Sequence, residues 1–291
     1  MKPARFDYHS PATIDEALAL LGRYEGEARV LAGGQSLVPM MNFRLATPAA
    51  IIDLNRIPGL ADIATVDGVI AIGAMARQRQ LEFATLIREQ LPLLSEAIHW
   101  VGHLPTRTRG TIGGSIAHAD PAAEIPMVLQ AVGGEVVVRG LQGERRIAAP
   151  DLFLSPLTTA LNPDEILTEV HFPAMPPGAS HAIEEFARRK GDFAIAAIAV
   201  MLVRDGERCT MARLATAGIG PVAVRLREAE MILEERGLGE SAISAAAQRA
   251  AELVEPMADH NASVDFRRHL TGVLTRRAVL KARDRHDVRT A

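Results

Sequence analysis

The sequence predicts an α+β chain in two regions, residues 1–176 and 177–291. Three observations carry this. Strand-like and helix-like segments occur together in both regions. Two strand pairs are close enough in sequence to be antiparallel: 66–72 turns back at Asp67-Gly68, and 135–139 faces 144–147. Met175-Pro-Pro-Gly-Ala179 then stops regular pairing, and the pattern changes after it.

The elements follow in order. Thr13-Ile-Asp-Glu16 has the form of a capping box, a hydroxyl at the helix start and an acid three residues on, and predicts a helix to about Leu21. Residues 29–32 read as a short buried strand running into Gly33-Gly34-Gln35-Ser36, and 37–43 as a helical turn. Residues 51–54 are a strand, ended by Pro58-Gly59. Residues 80–87, 93–99 and 125–131 have helical spacing, and 165–172 form a strand closed by Pro173. Past the boundary, 194–204 and 209–216 are apolar strands. Three helices follow at 222–236, 241–254 and 264–281, and the polar end from Asp284 is expected to fray.

Composition narrows the chemistry. The 291 residues are 48% hydrophobic and 23% charged with a formal charge of −3, so neither disorder nor a nucleic-acid surface is indicated. No apolar run reaches bilayer length and the N-terminus lacks a secretory pattern, so a cytoplasmic protein is expected. The one cysteine, Cys209, cannot hold an iron–sulfur cluster or a thiolate zinc site.

Two glycine motifs stand out, Ala32-Gly33-Gly34-Gln35-Ser36 and Thr111-Ile-Gly113-Gly114-Ser115. Paired glycines after a strand let successive backbone N–H groups approach an anion with no side chain in the way. Either motif alone reads as a tight turn; two converging ones can hold both phosphates of a dinucleotide. On that reading a valine at Gly33 or Gly113 fills the phosphate space and leaves the fold intact. Gly218-Ile-Gly220-Pro-Val-Ala223 imitates a nicotinamide-cofactor fingerprint, but no second parallel strand with an acid follows it. No phosphate loop with a lysine occurs, and Ser36 has no His–Asp partners for nucleophilic catalysis. His99, His103 and His118 lie near the second motif, but their irregular spacing argues against a metal site. Asp120 is expected to cap the next helix, and Arg107 and Arg109 either screen phosphate or face solvent.

The two motifs, continuing through Leu37-Val-Pro-Met-Met-Asn-Phe-Arg-Leu45 and Ile116-Ala-His-Ala-Asp-Pro121, resemble the FAD-binding medium subunit of the molybdenum hydroxylases. Arg188-Arg-Lys-Gly-Asp-Phe-Ala194 and Phe266-Arg-Arg-His-Leu270 resemble that family's C-terminal domain, so the likeness spans essentially the whole chain. It implies an FAD-binding domain of the p-cresol methylhydroxylase and vanillyl oxidase type over 1–176, with subdomains of about 1–58 and 59–176, and the C-terminal domain over 177–291. Val30, Leu31, Ala32, Gly33, Gly34, Gln35 and Ser36, with Thr111, Gly113, Gly114 and Ser115, are then expected to wrap the pyrophosphate and ribityl chain. By the same resemblance Glu124 is an acid touching FAD, Leu167 and Val101 line the flavin, and His118 lies near it. Phe193 stands where relatives carry a tyrosine beside the ring, so a hydroxyl is lost. Gln35 and Ser115 replace a His and an Asp of the carbon monoxide enzymes, leaving backbone N–H groups as the main phosphate donors. Lys190 either approaches the flavin or is a surface charge.

The function implied is an electron-transfer subunit. A molybdopterin cofactor is expected on a large partner chain and [2Fe–2S] clusters on a small one, with FAD here passing electrons to an external acceptor. The other readings are a stand-alone flavin oxidoreductase and an assembly scaffold with empty glycine loops.

Overall fold

The computed structural model describes residues 1–206 and 208–290. Three main sheets follow one another along the chain. The first joins β1 (Asp7–His9), β2 (Ala28–Leu31) and β3 (Ala50–Asp53), parallel and in the order β1-β3-β2. Helices α1 (Ile14–Arg23) and α2 (Leu37–Asn42) make the crossovers. At the start of α1 the Glu16 N–H donates to Thr13 Oγ1 at 3.2 Å. The Glu16 carboxylate accepts from Ala12 N at 2.7 Å, one residue before the position a strict capping box uses. Ala17, Leu18 and Leu21 bury the inner face of α1 against Ile52 and Leu54.

The second sheet has five antiparallel strands. β4 (Ile63–Val66) and β5 (Val69–Gly73) form a hairpin with Asp67 and Gly68 both at positive φ, 50° and 78°. Six short helices follow: α3 (Gln78–Phe83), α4 (Thr85–Gln90), α5 (Pro92–Ile98), α6 (Leu104–Arg109), α7 (Ile112–His118) and α8 (Glu124–Val132). The helix expected over 80–87 is two helices, because Ala84 adopts an extended conformation with ψ 119°. Strands β6 (Glu135–Gly140) and β7 (Gly143–Ala148) come next, then α9 (Ala149–Leu152) and a small hairpin of β8 (Phe153–Ser155) and β9 (Thr158–Thr159). β10 (Ile166–Pro173) closes the sheet at its centre, in the order β4-β5-β10-β6-β7.

The third sheet is an antiparallel meander of β11 (Ser180–Phe186), β12 (Ala196–Asp205), β13 (Arg208–Ala217) and β14 (Val224–Arg225). Helices α10 (Arg227–Arg236), α11 (Glu240–Leu253) and α12 (Val264–Thr290) cover it. The segment 222–226 is strand and turn rather than helix. α12 runs on to Thr290, beyond the expected fraying point at Asp284, and Ala291 lies outside the described residues. Along β12, Ala197, Ala199 and Met201 join the core built around the second sheet, while Ile198, Val200 and Leu202 join the core under α10–α12. The strand is buried on both faces, which is why its sequence is one apolar run rather than an alternation. Among the described residues no helix is long and apolar enough to cross a membrane.

Arg267 of α12 fastens the end of this sheet. Its buried guanidinium donates to Ile195 O at 2.7 Å and to Gly218 O, and pairs with Asp259 at 2.8 Å. The Arg267 guanidinium and the N–H groups of Asn261 and Ala262 hold the Asp259 carboxyl down at about 2, although burial opposes this. Arg267→Met strands two buried carbonyls, so we expect urea unfolding to show a loss of about 3 kcal/mol. A loss below about 1 kcal/mol would mean that water replaces the guanidinium freely.

Candidate functional site

β2 ends at Leu31, and Ala32-Gly33-Gly34-Gln35-Ser36 turns the chain into α2. Val30 and Leu31 pair with Ile52 and Asp53 and fix where the turn begins. Gly34 takes φ +73°, a left-handed position that suits glycine. The N–H groups of Gly33, Gly34, Gln35 and Ser36 have no protein acceptor among the described residues, and the Ser36 hydroxyl makes no cap to α2. Gln35 Nε2 folds back on Gly33 O at 3.2 Å. Adjacent donors with no acceptor form a cradle for an anion.

The second motif is built differently. Residues 111–115 are the start of α7 rather than a loop, with Thr111 as N-cap. Thr111 Oγ1 accepts from Gly114 N at 3.0 Å. Ile112 N and Gly113 N donate to Ala76 O and Ala74 O at 3.0 and 2.9 Å, and Ser115 N to Thr111 O at 3.2 Å. These N–H groups are thus satisfied within the protein, which corrects the expectation of a second donor nest.

The glycines answer to packing. A Cβ on Gly113 would lie 2.5 Å from Ala74 Cβ and 2.7 Å from Ala74 O. A Cβ on Gly33 would overlap Arg109 O and lie 2.8 Å from Gly110 Cα. A side chain at either position strikes protein first, so the expectation that substitution spares the fold is also corrected. The Gly33–Arg109 approach brings the two motifs together, and Gly114 faces Ala32 as well: a Cβ added to Gly114 would lie 3.5 Å from Ala32 Cβ. Leu167 is buried on β10, next to Thr168, whose carbonyl accepts from Ala74 N at 2.8 Å.

A second group gathers where the third sheet meets the second. The Val101 carbonyl accepts from Arg107 Nη1 at 2.9 Å, and buried Glu82 holds Arg107 at 3.3 Å. His103, two residues on, supports the loop between β11 and β12. Gly191 at φ +88° lies so close that a Cβ there would fall 2.6 Å from His103 Nδ1. Lys190 and Phe193 flank that glycine on an exposed loop, and Phe193 is 75% exposed.

His118 ends α7 half-buried, and Glu124 opens α8 buried. Burial pushes the Glu124 carboxyl up to about 7. Burial, with Glu124 nearby, pushes Glu185 of β11 up to about 8, and Glu185 Oε2 is enclosed without a hydrogen-bond partner. Asp120 accepts from Ala122 N at 2.9 Å in a local turn, while Ala123 is the N-cap of α8, so Asp120 does not cap that helix. His99 Nδ1 is engaged with Ser95 O at 2.8 Å, and among the described residues no His, Cys, Asp and Glu group is arranged to hold a metal. Burial, aided by Glu234, raises the Cys209 thiol to about 11, leaving it inert. Gly218, at φ +74°, donates its N–H to Pro121 O at 2.7 Å where β13 ends, and the next strand is antiparallel.

Sequence reasoning missed the residues behind the cradle. Tyr8, Asp53, Asn55 and Arg77 hydrogen-bond in series beneath it. Asp53-Leu-Asn55 at the end of β3 was a readable signal, since such pairs form Asx turns at strand ends. Nothing in the sequence marks Arg77 or Glu185.

Residues 4–175 match the model of the FAD binding domain in molybdopterin dehydrogenase, and 181–282 that of the CO dehydrogenase flavoprotein C-terminal domain. The chain is 42% identical over 283 residues to the 6-hydroxypseudooxynicotine dehydrogenase complex subunit alpha of Paenarthrobacter nicotinovorans, covering 97% of this chain and 96% of that one. It is 36% identical to the carbon monoxide dehydrogenase medium chain of Hydrogenophaga pseudoflava, covering 96% and 97%. A solved carbon monoxide dehydrogenase from that organism, lacking the Mo-pyranopterin moiety of its cofactor, superimposes with a TM-score of 0.96 at 37% identity, over 98% of this chain and 99% of that one.

Proposed function

Because the chain belongs to the family of FAD-binding medium subunits of molybdenum-containing dehydrogenases, we propose that it is the electron-transfer subunit of a heterotrimeric molybdenum hydroxylase. A large partner holds the molybdopterin cofactor and oxidises the substrate. A small partner holds the [2Fe–2S] clusters, and this chain passes their electrons to an external acceptor. We also divide the chain at 176/177 into the FAD-binding and C-terminal domains.

The observation that carries this reading is the row of free N–H donors from Gly33 to Ser36. A pyrophosphate is the part of FAD that such a row fits, and the Ser36 hydroxyl adds a donor. The Arg109 charge lies close enough to disfavour that of Arg77, and an anion at the cradle relieves that repulsion. When bound, FAD supplies a centre that accepts electrons singly and releases them singly or in pairs. The chain's residues bind and tune it. Gly33–Ser36 hold the phosphates, while Thr111, Gly113, Gly114 and Ser115 brace the cradle from behind. Val101, Leu167 and Phe193 shield the ring from water, and Lys190 sets positive charge beside it. Burial raises Glu124 to about 7, and its protonated form donates a hydrogen bond toward the cofactor with His118 close by.

Purification of the native complex tests the proposal. A flavin spectrum that co-elutes with iron- and molybdenum-bearing chains supports it. A colourless protein that cannot be reconstituted with FAD overturns it. Phe193→Tyr is expected to leave FAD content unchanged and alter the rate with the acceptor, measured by stopped-flow reoxidation of the reduced protein.

A further inference from the structure

The two glycine motifs hang from different sheets, so their separation must be held by something. Backbone contact at Gly33 is one tie. The other runs through side chains. Tyr8 Oη donates to Asp53 Oδ2 at 2.6 Å, and Asp53 Oδ1 accepts from Asn55 N at 2.9 Å and Nδ2 at 2.5 Å. Asn55 Nδ2 also donates to Ala32 O at 3.0 Å, the carbonyl just ahead of Gly33. On its other side Asn55 Oδ1 accepts from Arg77 Nη2 at 2.5 Å. Arg77 Nη1 donates to Arg109 O, the same carbonyl that Gly33 packs against. The Arg77 backbone is bridged to Thr111, so this residue is anchored on the second motif and reaches to the first.

We infer that Arg77 is a positioning residue for the FAD site: its guanidinium spans the Asn55 amide and the Arg109 carbonyl, sets the gap between the two motifs, and keeps a cation at the cradle's base. This rests on the FAD reading above.

The chemistry of the side chain supports it. Arginine's planar fork serves two acceptors at a fixed angle, whereas a lysine ammonium is a point charge on a flexible stem. The surrounding charge is unbalanced as well. Arg77 and Arg109 are two cations, and Asp53 is the carboxylate that faces Arg77. Burial and the Arg109 charge both lower the Arg77 pKa, and Asp53 opposes them. The site therefore holds a surplus cation that a dianionic pyrophosphate neutralises.

The test uses full-length protein stripped of flavin and titrated with FAD by fluorescence at several salt concentrations. Arg77→Lys keeps the charge and loses the fork, and we expect FAD affinity to fall about tenfold, in the range seen when supporting residues around a bound group are removed. Asn55→Ala should fall similarly, and the Arg77→Lys/Asn55→Ala double variant should fall little further, because both break one strut. Arg77→Gln should bind more weakly still, with a shallower salt dependence. Circular dichroism confirms that each variant is folded. If wild type binds FAD and Arg77→Lys binds it equally well, the positioning role is overturned, whatever Arg77→Gln does. If wild type itself does not bind FAD, the reading beneath fails instead.

Discussion

Gly33→Ala should empty the protein of FAD and weaken its fold together. The added Cβ overlaps Arg109 O and approaches Gly110 Cα to 2.8 Å, both backbone atoms of the segment that leads into the second motif. Neither can rotate aside as a side-chain end can, so the motifs must separate. Overpacking of this kind costs about 1–3 kcal/mol. The moving segment is the one whose four N–H groups form the anion cradle, so binding suffers beyond the loss in stability. FAD per chain after purification and the urea midpoint of the apoprotein measure the two effects. Gly140→Ala is the control, since its Cβ meets only Glu165 Cγ at 3.4 Å and Asp164 O at 3.8 Å, ordinary contact distances. If Gly33→Ala keeps full flavin and the Gly140→Ala midpoint, the close approach of the motifs is not a constraint.

The second large effect concerns pH. Glu124 ionises at about 7 in the fold against an ordinary value of 4.5, because burial penalises its charge. The folded chain therefore holds the proton more tightly than the unfolded one. Stability is full below about 4.5 and is lost as pH rises to about 7. At about 1.4 kcal/mol per unit, the loss for this group exceeds about 3 kcal/mol. Glutamine mimics the protonated acid. Glu124→Gln should hence change apoprotein stability little near pH 5 and raise it by about 2–3 kcal/mol near pH 8, read by urea unfolding. Equal effects at both pH values would show that Glu124 is ionised in the fold throughout. Glu185 presses the same way, since burial with Glu124 nearby raises it to about 8, and Glu124→Gln should lower the Glu185 pKa by removing the neighbouring carboxylate.

The fold was legible where local chemistry is unambiguous. Thr13 and Glu16 announced α1, and Asp67-Gly68 announced the β4–β5 turn. It was illegible where tertiary contacts decide. β11 carries Ser180, His181, Glu184 and Glu185 among its seven residues, and this polarity hid a strand whose first four residues are buried. The break at Ala84 leaves no trace in the spacing of 80–87. At the site, the first motif was read for what it is, a turn of free donors. The second was misread, because sequence shows that two glycines are adjacent but not what they lie against. Thr111 was the available warning: a hydroxyl three residues before Gly114 is an N-cap signal. Arg77 and Glu185 act through partners far away in sequence, and no local pattern encodes such contacts.

The internal satisfaction of the α7 start bears on how such a chain would age without its cofactor. Gly33 and Gly113 are held by Arg109, Gly110 and Ala74, which belong to the protein itself, whereas the Ser36 hydroxyl makes no cap bond and the 33–36 N–H row has no acceptor among the described residues. A descendant that abandoned flavin would be free to drift at Ser36 while the glycines stayed fixed. Glycines in this architecture are a fossil of packing, and the serine between β2 and α2 is the better indicator that the cofactor is still in use.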